Sequence, residues 1–506
     1  MKPPRKTLVG GRELAKGAPR TRNEQPGSRN EVAASGDRVL PPAVVSPLRV
    51  VTARVGDRSR RRLSALLAAL STESEPVTAI AHLLRFCRKG HAELWEFADE
   101  PCCVEWARQV LAPVAAAMPV RAPTTTLPQE IRRLMAHAFK DIPEHVHPVV
   151  VAHELAQFLD ERFLHAIGPH FRRLSPYEIT LGAPVPLDDP GLVRVLHGSV
   201  TAPPWRLAQP LDETPHLRLA GDWAKRYRVI LDSSLHGQFA GLAAAETRIA
   251  TVHPNSSLDE FVYLPDSAGR LFGVRPRDER AQAVLLDHLV GRAVDAGAEI
   301  VVVPELSVTP PLAQGLRTWV DRPGGPRLVV AGSYHITVPR LSGRAGRQNL
   351  SLTWARSQAD PLISAKNSPA THPYIEDFRP PGRPEIRVHV ADGWHLVIAV
   401  CRDLLNPEFV RALTSVGANL VLVPAMSDSL LAFGGPVAQL VGSCQAVVAV
   451  ANNPALWPSQ GRRRSRTLRA VFGHPGLPQQ TAAVDVPGGR PGVALLNFGS
   501  GLVSWI

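Results

Sequence analysis

The C-terminal half of the chain repeats one pattern three times: a helix-like segment followed by a short strand of consecutive apolar residues. The three units are ERAQAVLLDHLVGRAVDAGA before EIVVVPE, PEFVRALTSVGA before NLVLVPA, and GGPVAQLVGSCQ before AVVAVANN. Strands that lack polar alternation are buried on both faces, as happens where helices cover a sheet. The pattern therefore predicts an α/β fold with largely buried strands, and periodicity alone leaves the particular α/β fold open.

The remaining sequence divides by composition, and 506 residues exceed one ordinary core. Residues 1–60 hold 13 Lys and Arg against 5 Asp and Glu, most of the net charge of +12, so we expect a disordered basic tail. Residues 61–172 have helical spacing throughout and predict a small helical module of unknown function. Residues 173–239 form a Pro-rich connection, and residues 240–506 contain the α/β pattern.

The sequence points to a reduced, cytoplasmic protein. It contains no apolar run near the ~20 residues that span a bilayer, and its basic start lacks the apolar segment of a secretory signal. Its five cysteines are scattered and odd in number, so they predict no disulfide framework.

Three polar residues stand at the ends of apolar segments in the C-terminal half. Glu305 closes EIVVVPE, Cys401 closes HLVIAVC, and Lys366 follows the strand-like PLIS. Taken singly, the glutamate fits a turn cap, the lysine a solvated charge, and the cysteine an inert small hydrophobe. Because sites in α/β sheets form at the carboxyl ends of strands, we expect the three side chains to converge.

Together these residues have a mechanism that requires no metal or cofactor. A cysteine thiolate is a strong nucleophile, and we expect the nearby ammonium of Lys366 to lower the pKa of the thiol. The carboxylate of Glu305 can accept the thiol proton and later activate water. Lysine and a backbone N–H can stabilise the negative charge that develops on a carbonyl oxygen or a nitrile nitrogen.

The order and context of these residues resemble the nitrilase, or carbon–nitrogen hydrolase, superfamily. GAEIVVVPE matches the motif of its first glutamate, and FRPPGRPEIRV is similar to its F-x-P-G segment. The most specific match is VIAVCRDLLNPEFVRALTSVGANLVLVPA, and GSCQAVVAVANNP resembles the next helix–strand unit. The spacings, 61 residues from Glu305 to Lys366 and 35 more to Cys401, are compatible with the family. The resemblance covers residues 240–506.

The resemblance implies a four-layer α-β-β-α sandwich after the helical module, and a covalent thioester or thioimidate intermediate. It implies that Cys401 is the nucleophile, Glu305 the general base and Lys366 the cation that stabilises the oxyanion. The backbone N–H of Arg402 would be a second oxyanion donor. The family often has a further glutamate that orients the lysine, for which Glu376 is the candidate and the neighbouring Asp377 its rival. Dimers or larger homo-oligomers are also implied.

The sequence departs from the family pattern at two places, and these departures bear on the identity of the substrate more than on the catalytic residues. The family usually has an aromatic residue after the cysteine, where this chain has Arg402, which would change the wall and the charge of the pocket. The lysine lies in SAKNSPATHP and lacks the family's aromatic and basic neighbours.

The leading prediction is an amidase-type carbon–nitrogen hydrolase that acts on a small amide, carbamoyl or nitrile substrate. An acyltransferase on the same fold, or a ligand-sensing or partner-binding regulatory protein, stays open as an alternative. Residues 1–60 could make weak contact with nucleic acid or another acidic partner, and we expect no membrane association.

Three other sequence features give weaker evidence about function. His153 and Glu154 begin like a zinc-protease helix, but Gln157 stands where the second ligand is needed. The remaining cysteines have no metal-ligand spacing. The basic stretch GRRRSR, residues 461–466, favours an exposed loop, with an acidic substrate or nucleic acid as its alternative partner.

Overall fold

Buried strands and the helices that cover them make up most of the computed structural model. It describes residues 57–97, 100–118, 125–140, 142–143, 146–187, 213–242, 246–263, 266–338, 346–371, 374–378, 382–456 and 466–506. All of these lie in one compact unit, Val51–Ile506. The predicted disorder of the tail falls almost entirely outside the described residues, and so does most of GRRRSR.

The first part of the described chain is helical. Its helices are α1 Asp57–Thr72, α2 Pro76–Lys89, α3 His91–Phe97, α4 Pro101–Ala117, α5 Gln129–His137, α6 Pro148–Arg162 and α7 Leu164–Leu174. Apolar side chains on α2 and α6 recur at helical spacing and are fully buried, from Val77 to Cys87 and from Val149 to Leu159. Pro76 and Pro148 occupy first-turn positions, where a missing N–H costs no hydrogen bond. The apolar spacing of α2 and α6 thus corresponds to their buried faces.

The first of two eight-stranded sheets in the described chain has the order β1-β4-β15-β16-β17-β18-β19-β20. Its strands are β1 Tyr177–Ile179, β4 Arg228–Asp232, β15 Glu385–Ala391, β16 Trp394–Ile398, β17 Leu420–Ala425, β18 Val447–Asn452, β19 Arg466–Gly473 and β20 Thr481–Pro487. The pairs β4–β15, β16–β17 and β17–β18 are parallel. Strands β1 and β4 come from the stretch predicted as a connection; the predicted domain boundaries stay a prediction.

The second sheet has the order β11-β12-β10-β9-β5-β21-β22, with β13 also paired to β12. Its strands are β5 Arg248–His253, β9 Ala298–Val302, β10 Leu328–Val330, β11 Tyr334–Val338, β12 Gly346–Ala355, β13 Leu362–Ala365, β21 Gly492–Asn497 and β22 Val503–Trp505. The pairs β5–β9 and β9–β10 are parallel.

Shorter elements complete the described chain. They are β2 Pro184–Pro186 with β3 Leu217–Leu219, β6 Phe261–Val262 with β8 Arg275–Pro276, β7 Arg270–Leu271 with β14 Ile375–Glu376, and the helices α8 Trp223–Arg226, α9 Glu279–Asp295, α10 Pro310–Gly315, α11 Arg317–Asp321, α12 Pro407–Ser415 and α13 Gly434–Cys444. The three predicted helix–strand units are confirmed as α9–β9, α12–β17 and α13–β18.

Three of the four hydrophobic clusters in the described part of the chain join the sheets and the helices. One joins both sheets and includes Ile300 and Val302 of β9 with Leu396 and Leu420 of β16 and β17. A second packs α9, α10 and α11 on the second sheet. The third packs α12, α13 and the helices α1–α7 on the first sheet. The mixed α/β class is thus confirmed, and both sheets are buried against neighbouring layers.

Candidate active site

Cys401 lies where a fully buried strand ends. Every residue of β16 is buried, and Cys401, three residues after its end, begins a short 3-10 helix, Cys401–Leu405. Its φ of 48° is left-handed, a conformation that non-glycine residues rarely adopt and that structures retain mainly where function requires it. The thiol is buried and makes a weak hydrogen bond to the Met426 carbonyl, with Sγ 3.8 Å from the oxygen. The turn therefore fixes the direction of the sulfur.

Glu305 follows β9 of the other sheet. Its backbone forms a bridge with Ser333, and the next residue, Leu306, is also left-handed with φ 56°. Gly332 has φ 68°, and a Cβ there would lie 2.4 Å from the carbonyl oxygen of Pro304. Only glycine allows this close approach, which holds the segment before Glu305 against the adjoining loop.

Lys366 follows β13 and is buried between two carboxylates. Its Nζ donates to Glu305 Oε1 at 2.8 Å and to Glu376 Oε2 at 2.5 Å. Its backbone N–H donates to the Asn349 carbonyl at 2.9 Å, which anchors the residue to β12. A buried ammonium is stable here because both neighbouring carboxylates are charged acceptors.

Asn349 and His335 support the two carboxylates. The Nδ2 of Asn349 donates to Glu305 Oε1 at 2.9 Å and to Glu376 Oε1 at 2.8 Å. His335 Nδ1 accepts the backbone N–H groups of Gly273 and Val274, which leaves the proton on Nε2. Nε2 then donates to Glu376 Oε1 at 2.9 Å. Both side chains are therefore donors that hold the carboxylates in one orientation.

Asp403 ties the cysteine turn to the lysine segment. Its buried carboxylate accepts the backbone N–H of Asn367 at 3.0 Å and that of Ser368 at 2.6 Å. Because Asn367 and Ser368 directly follow Lys366, the relative position of lysine and cysteine is set by these bonds.

The charges of the site follow from burial and from these partners. Burial by itself lowers the pKa of Lys366, but Glu305 and Glu376 outweigh it and raise that pKa well above its ordinary value. Burial opposes ionisation of Glu376, yet Lys366 and His335 hold its pKa below the usual range. Burial raises the pKa of Asp403 to about 7 despite its backbone donors.

The net shift of the Cys401 pKa is opposite in direction to the effect of the Lys366 ammonium alone. Burial and the charge of Glu305 raise the pKa of Cys401 well above its ordinary value, although Lys366 acts in the opposite direction. Lys366 therefore lowers the thiol pKa as predicted, but burial and Glu305 outweigh it. The resting residue is a neutral thiol, and a base has to remove its proton during attack.

A small cavity of about 60 Å³ adjoins the network. Its charged or titratable lining consists, within the described residues, of Glu305, Lys366, Glu376, His335 and two tyrosines; the other lining residues are Leu258, Leu271, Val274, Leu306, Ala370 and Met426. The rings of the tyrosines, Tyr263 and Tyr374, lie 5.8 Å apart. Cys401 is not among the lining residues, whereas Met426, which accepts its hydrogen bond, is.

The structure brings together four of the five residues singled out from the sequence: Glu305, Lys366, Cys401 and Glu376. The fifth, Arg402, is adjacent in the chain, but its guanidinium donates to the hydroxyl of Thr371 and does not line the cavity. Its expected effect on the pocket wall has no counterpart in the lining.

Of the two rival acids, Glu376 contacts the lysine. Asp377 instead pairs with Arg347 and Arg270, at the surface. The catalytic roles assigned to the site residues stay predictions.

Sequence reasoning missed Asn349, His335 and the function of Asp403. Asp403 was visible as an acidic residue two positions after the cysteine, but its partners were not. Among the described residues, no group of three or more His, Cys, Asp and Glu side chains is arranged to hold a metal ion. Nor does any described helix have the length and apolar character needed to cross a membrane.

Comparisons with known proteins find structural matches of low sequence identity and no sequence match. No family model and no curated protein matches the sequence. Among solved structures, an amidase from Nesterenkonia sp. is 18% identical with a TM-score of 0.34, over 50% of this chain and 89% of that chain. A variant of the Nesterenkonia AN1 amidase from the nitrilase superfamily is 20% identical with a TM-score of 0.35, over 50% and 90%.

A further variant of that amidase, whose active-site cysteine carries the acetamide moiety of fluoroacetamide, is 19% identical with a TM-score of 0.36, over 51% and 92%. These amidases match about half of this chain. At this level of identity the likeness says nothing about the reaction of this chain.

Proposed function

We propose that residues 240–506 hydrolyse a carbon–nitrogen bond of a small amide through a thioester on Cys401. The observation that carries this proposal is the buried network in which Lys366 bridges Glu305 and Glu376 beside a thiol held in a left-handed turn. We further propose that the two sheets and their helices form the α-β-β-α sandwich of the nitrilase superfamily, with the helices of residues 61–172 as an added module.

Acylation begins with the neutral thiol. Glu305 takes the proton of Cys401 while Sγ attacks the carbonyl carbon, and the carbonyl oxygen takes the negative charge. Lys366 Nζ has two carboxylate acceptors, so one of its three N–H groups is left for the oxyanion. The backbone N–H of Arg402 has no acceptor within the described residues and is suited to be the second donor.

Collapse of the tetrahedral intermediate breaks the C–N bond, and Glu305 passes its proton to the leaving nitrogen. The amine departs and the thioester remains. Glu305 then takes a proton from water, whose oxygen attacks the thioester carbonyl. The C–S bond breaks, Glu305 returns its proton to the Cys401 thiolate, and the carboxylic acid leaves. The sum is amide and water to acid and amine.

The cavity favours a short, uncharged acyl group. About 60 Å³ leaves room for a few heavy atoms, and aliphatic side chains and tyrosines form most of its wall. Lys366 is the one lysine or arginine among the described residues of that wall. Two carboxylates neutralise it, so an anionic substrate finds no free positive charge on this part of the wall.

The test is intact-mass spectrometry of the full chain with a panel of short amides, carbamoyl compounds and nitriles. We expect an acyl adduct on the wild type and none on Cys401→Ala. Cys444→Ala is the matched control, because Cys444 is another buried cysteine far along the chain from the network. Absence of both adduct and released ammonia or amine across the panel contradicts the proposal. Transfer of the acyl group to an added amine in preference to water identifies an acyltransferase.

A further inference from the structure

A cavity between α1 and α2 is lined by basic side chains. It measures about 360 Å³, and its wall contains Arg61, Arg62, His82, Arg85 and Lys89, with Ala65, Leu66 and Phe86 completing it. Among the described residues that form this wall there is no carboxylate. We call these five basic residues the basic groove; they lie outside the catalytic network.

Two arginines of the basic groove make hydrogen bonds to backbone carbonyls, and no ion pair with an acidic side chain is seen for the groove's arginines or its lysine in the described part of the chain. Arg62 Nη1 donates to the Lys89 carbonyl at 2.9 Å, and Arg85 Nε donates to the Gly182 carbonyl at 3.0 Å. These bonds orient the guanidinium groups but leave their charges in place. Unpaired cations facing a shared cavity indicate an anionic ligand.

The arrangement is a row and not a compact cradle. His82, Arg85 and Lys89 follow one another at i, i+3 and i+7, on one face of α2. At a rise of about 1.5 Å per residue the row is about 10 Å long. Phosphates of one strand of duplex DNA follow one another about every 3.4 Å along the axis, so a row of this length can face several of them, whereas a single phosphate occupies only a few ångströms.

The chemistry of the side chains and of the flanking sequence favours the same ligand. Three of the four permanent cations are arginines, whose planar forks bind phosphate oxygens in pairs. The sequence leading into α1 is itself basic, since residues 1–60 carry 13 Lys and Arg against 5 Asp and Glu. We propose that the basic groove binds nucleic acid through its phosphodiester backbone. This site does not depend on the proposed amide hydrolysis.

The test measures binding of the full chain to a fluorescein-labelled single-stranded oligonucleotide of about 20 nucleotides by anisotropy, over a series of salt concentrations. Arg61→Gln with Lys89→Gln removes two charges that make no side-chain hydrogen bond in the described structure. Each lost phosphate contact lowers the slope of log K against log salt by about 0.7. We therefore expect the double variant to lower the slope by roughly 1.4 and the affinity at least tenfold.

A matched control removes two exposed arginines from other helices of the same region, Arg108→Gln on α4 with Arg133→Gln on α5. The proposal requires the control to bind like the wild type, with both variants showing the wild-type circular dichroism and thermal midpoint. Equal losses in the two variants, or wild-type binding by the groove variant, would overturn it. Competition by polyglutamate as strong as that by unlabelled oligonucleotide would replace nucleic acid with an acidic protein partner.

Discussion

Asn349 should control the orientation of the catalytic carboxylates, although it carries no charge. Its amide donates to Glu305 and Glu376 at 2.9 and 2.8 Å in a fully buried position. A hydrogen bond to a charged group contributes about 1.5–3 kcal/mol, so Asn349→Leu removes about 3–6 kcal/mol from the network before any relaxation. Since 1.36 kcal/mol corresponds to a tenfold change in rate, we expect kcat/KM to fall by at least about a hundredfold.

The assay combines urea unfolding with kcat/KM on the amide that acylates Cys401. Asn419→Leu is the matched control, because Asn419 is also buried and makes two side-chain hydrogen bonds, to the backbone of His395 and Gly393. Both variants should lose stability. Only Asn349→Leu should lose more activity than the decrease in its folded fraction explains. A folded Asn349→Leu protein with activity within about threefold of wild type would refute the reasoning.

The variant Asn349→Asp distinguishes the effect of side-chain size from the effect of hydrogen-bond donation. Asn349→Asp keeps the size of the side chain but places a third carboxyl group beside Glu305 and Glu376. An ionised aspartate cannot donate and repels both neighbours, whereas a protonated one restores a single donor. We expect its activity optimum to lie at lower pH than that of the wild type. An unchanged pH profile would show that donation by Asn349 is not what the site needs.

Three further predictions concern charge. Lys366→Met leaves two carboxylates facing each other in a buried site, and we expect loss of activity by more than about a thousandfold in a rate assay. Because the pKa of Cys401 is raised well above its ordinary 9.0, iodoacetamide should alkylate this residue slowly at pH 7 and faster only above pH 9, as peptide mass mapping would show. Since the pKa of Asp403 rises from 3.8 to about 7, the native protein holds a proton that the unfolded chain has lost, so stability should fall by up to about 4 kcal/mol as pH rises from 4 to 7. In Asp403→Asn, urea unfolding across this range should lose that slope; an unchanged slope would contradict the assignment.

The residues that end buried strands were predictable, because an apolar run that stops at a polar residue is visible in one dimension. Glu305 and Cys401 follow β9 and β16 in this way. The choice between Glu376 and Asp377 was not predictable, because neighbouring extended residues point to opposite sides and either order fits the spacing. The structure resolves the choice through Lys366, which lies 2.5 Å from Glu376.

Asn349 could not be recognised as a site residue because it lies in an alternating polar and apolar strand, a pattern that normally indicates a solvent-exposed face. In β12, polar residues Asn349, Ser351 and Thr353 alternate with apolar ones, which ordinarily marks a strand with one face in water. Here all three are fully buried, because the second sheet packs its inner face toward the first. Of the three, Asn349 contacts the carboxylates of the site. No local rule of sequence distinguishes such a buried polar face from a solvated one.

The pKa of Cys401 could not be predicted from the sequence. The sequence identifies the charged partners of the thiol but not which of their effects on its pKa is larger. Spacing predicts an ammonium and a carboxylate nearby, and the ammonium alone would lower the thiol pKa. The net direction depends on burial and on the distances to both charges, which only the folded site determines. Because burial and Glu305 prevail, the thiol keeps its proton at rest. In the proposed mechanism Glu305 removes that proton as the C–S bond forms, so we expect Glu305→Gln to abolish acylation as completely as Cys401→Ala. An acyl adduct that still forms in Glu305→Gln would show that another group takes the proton.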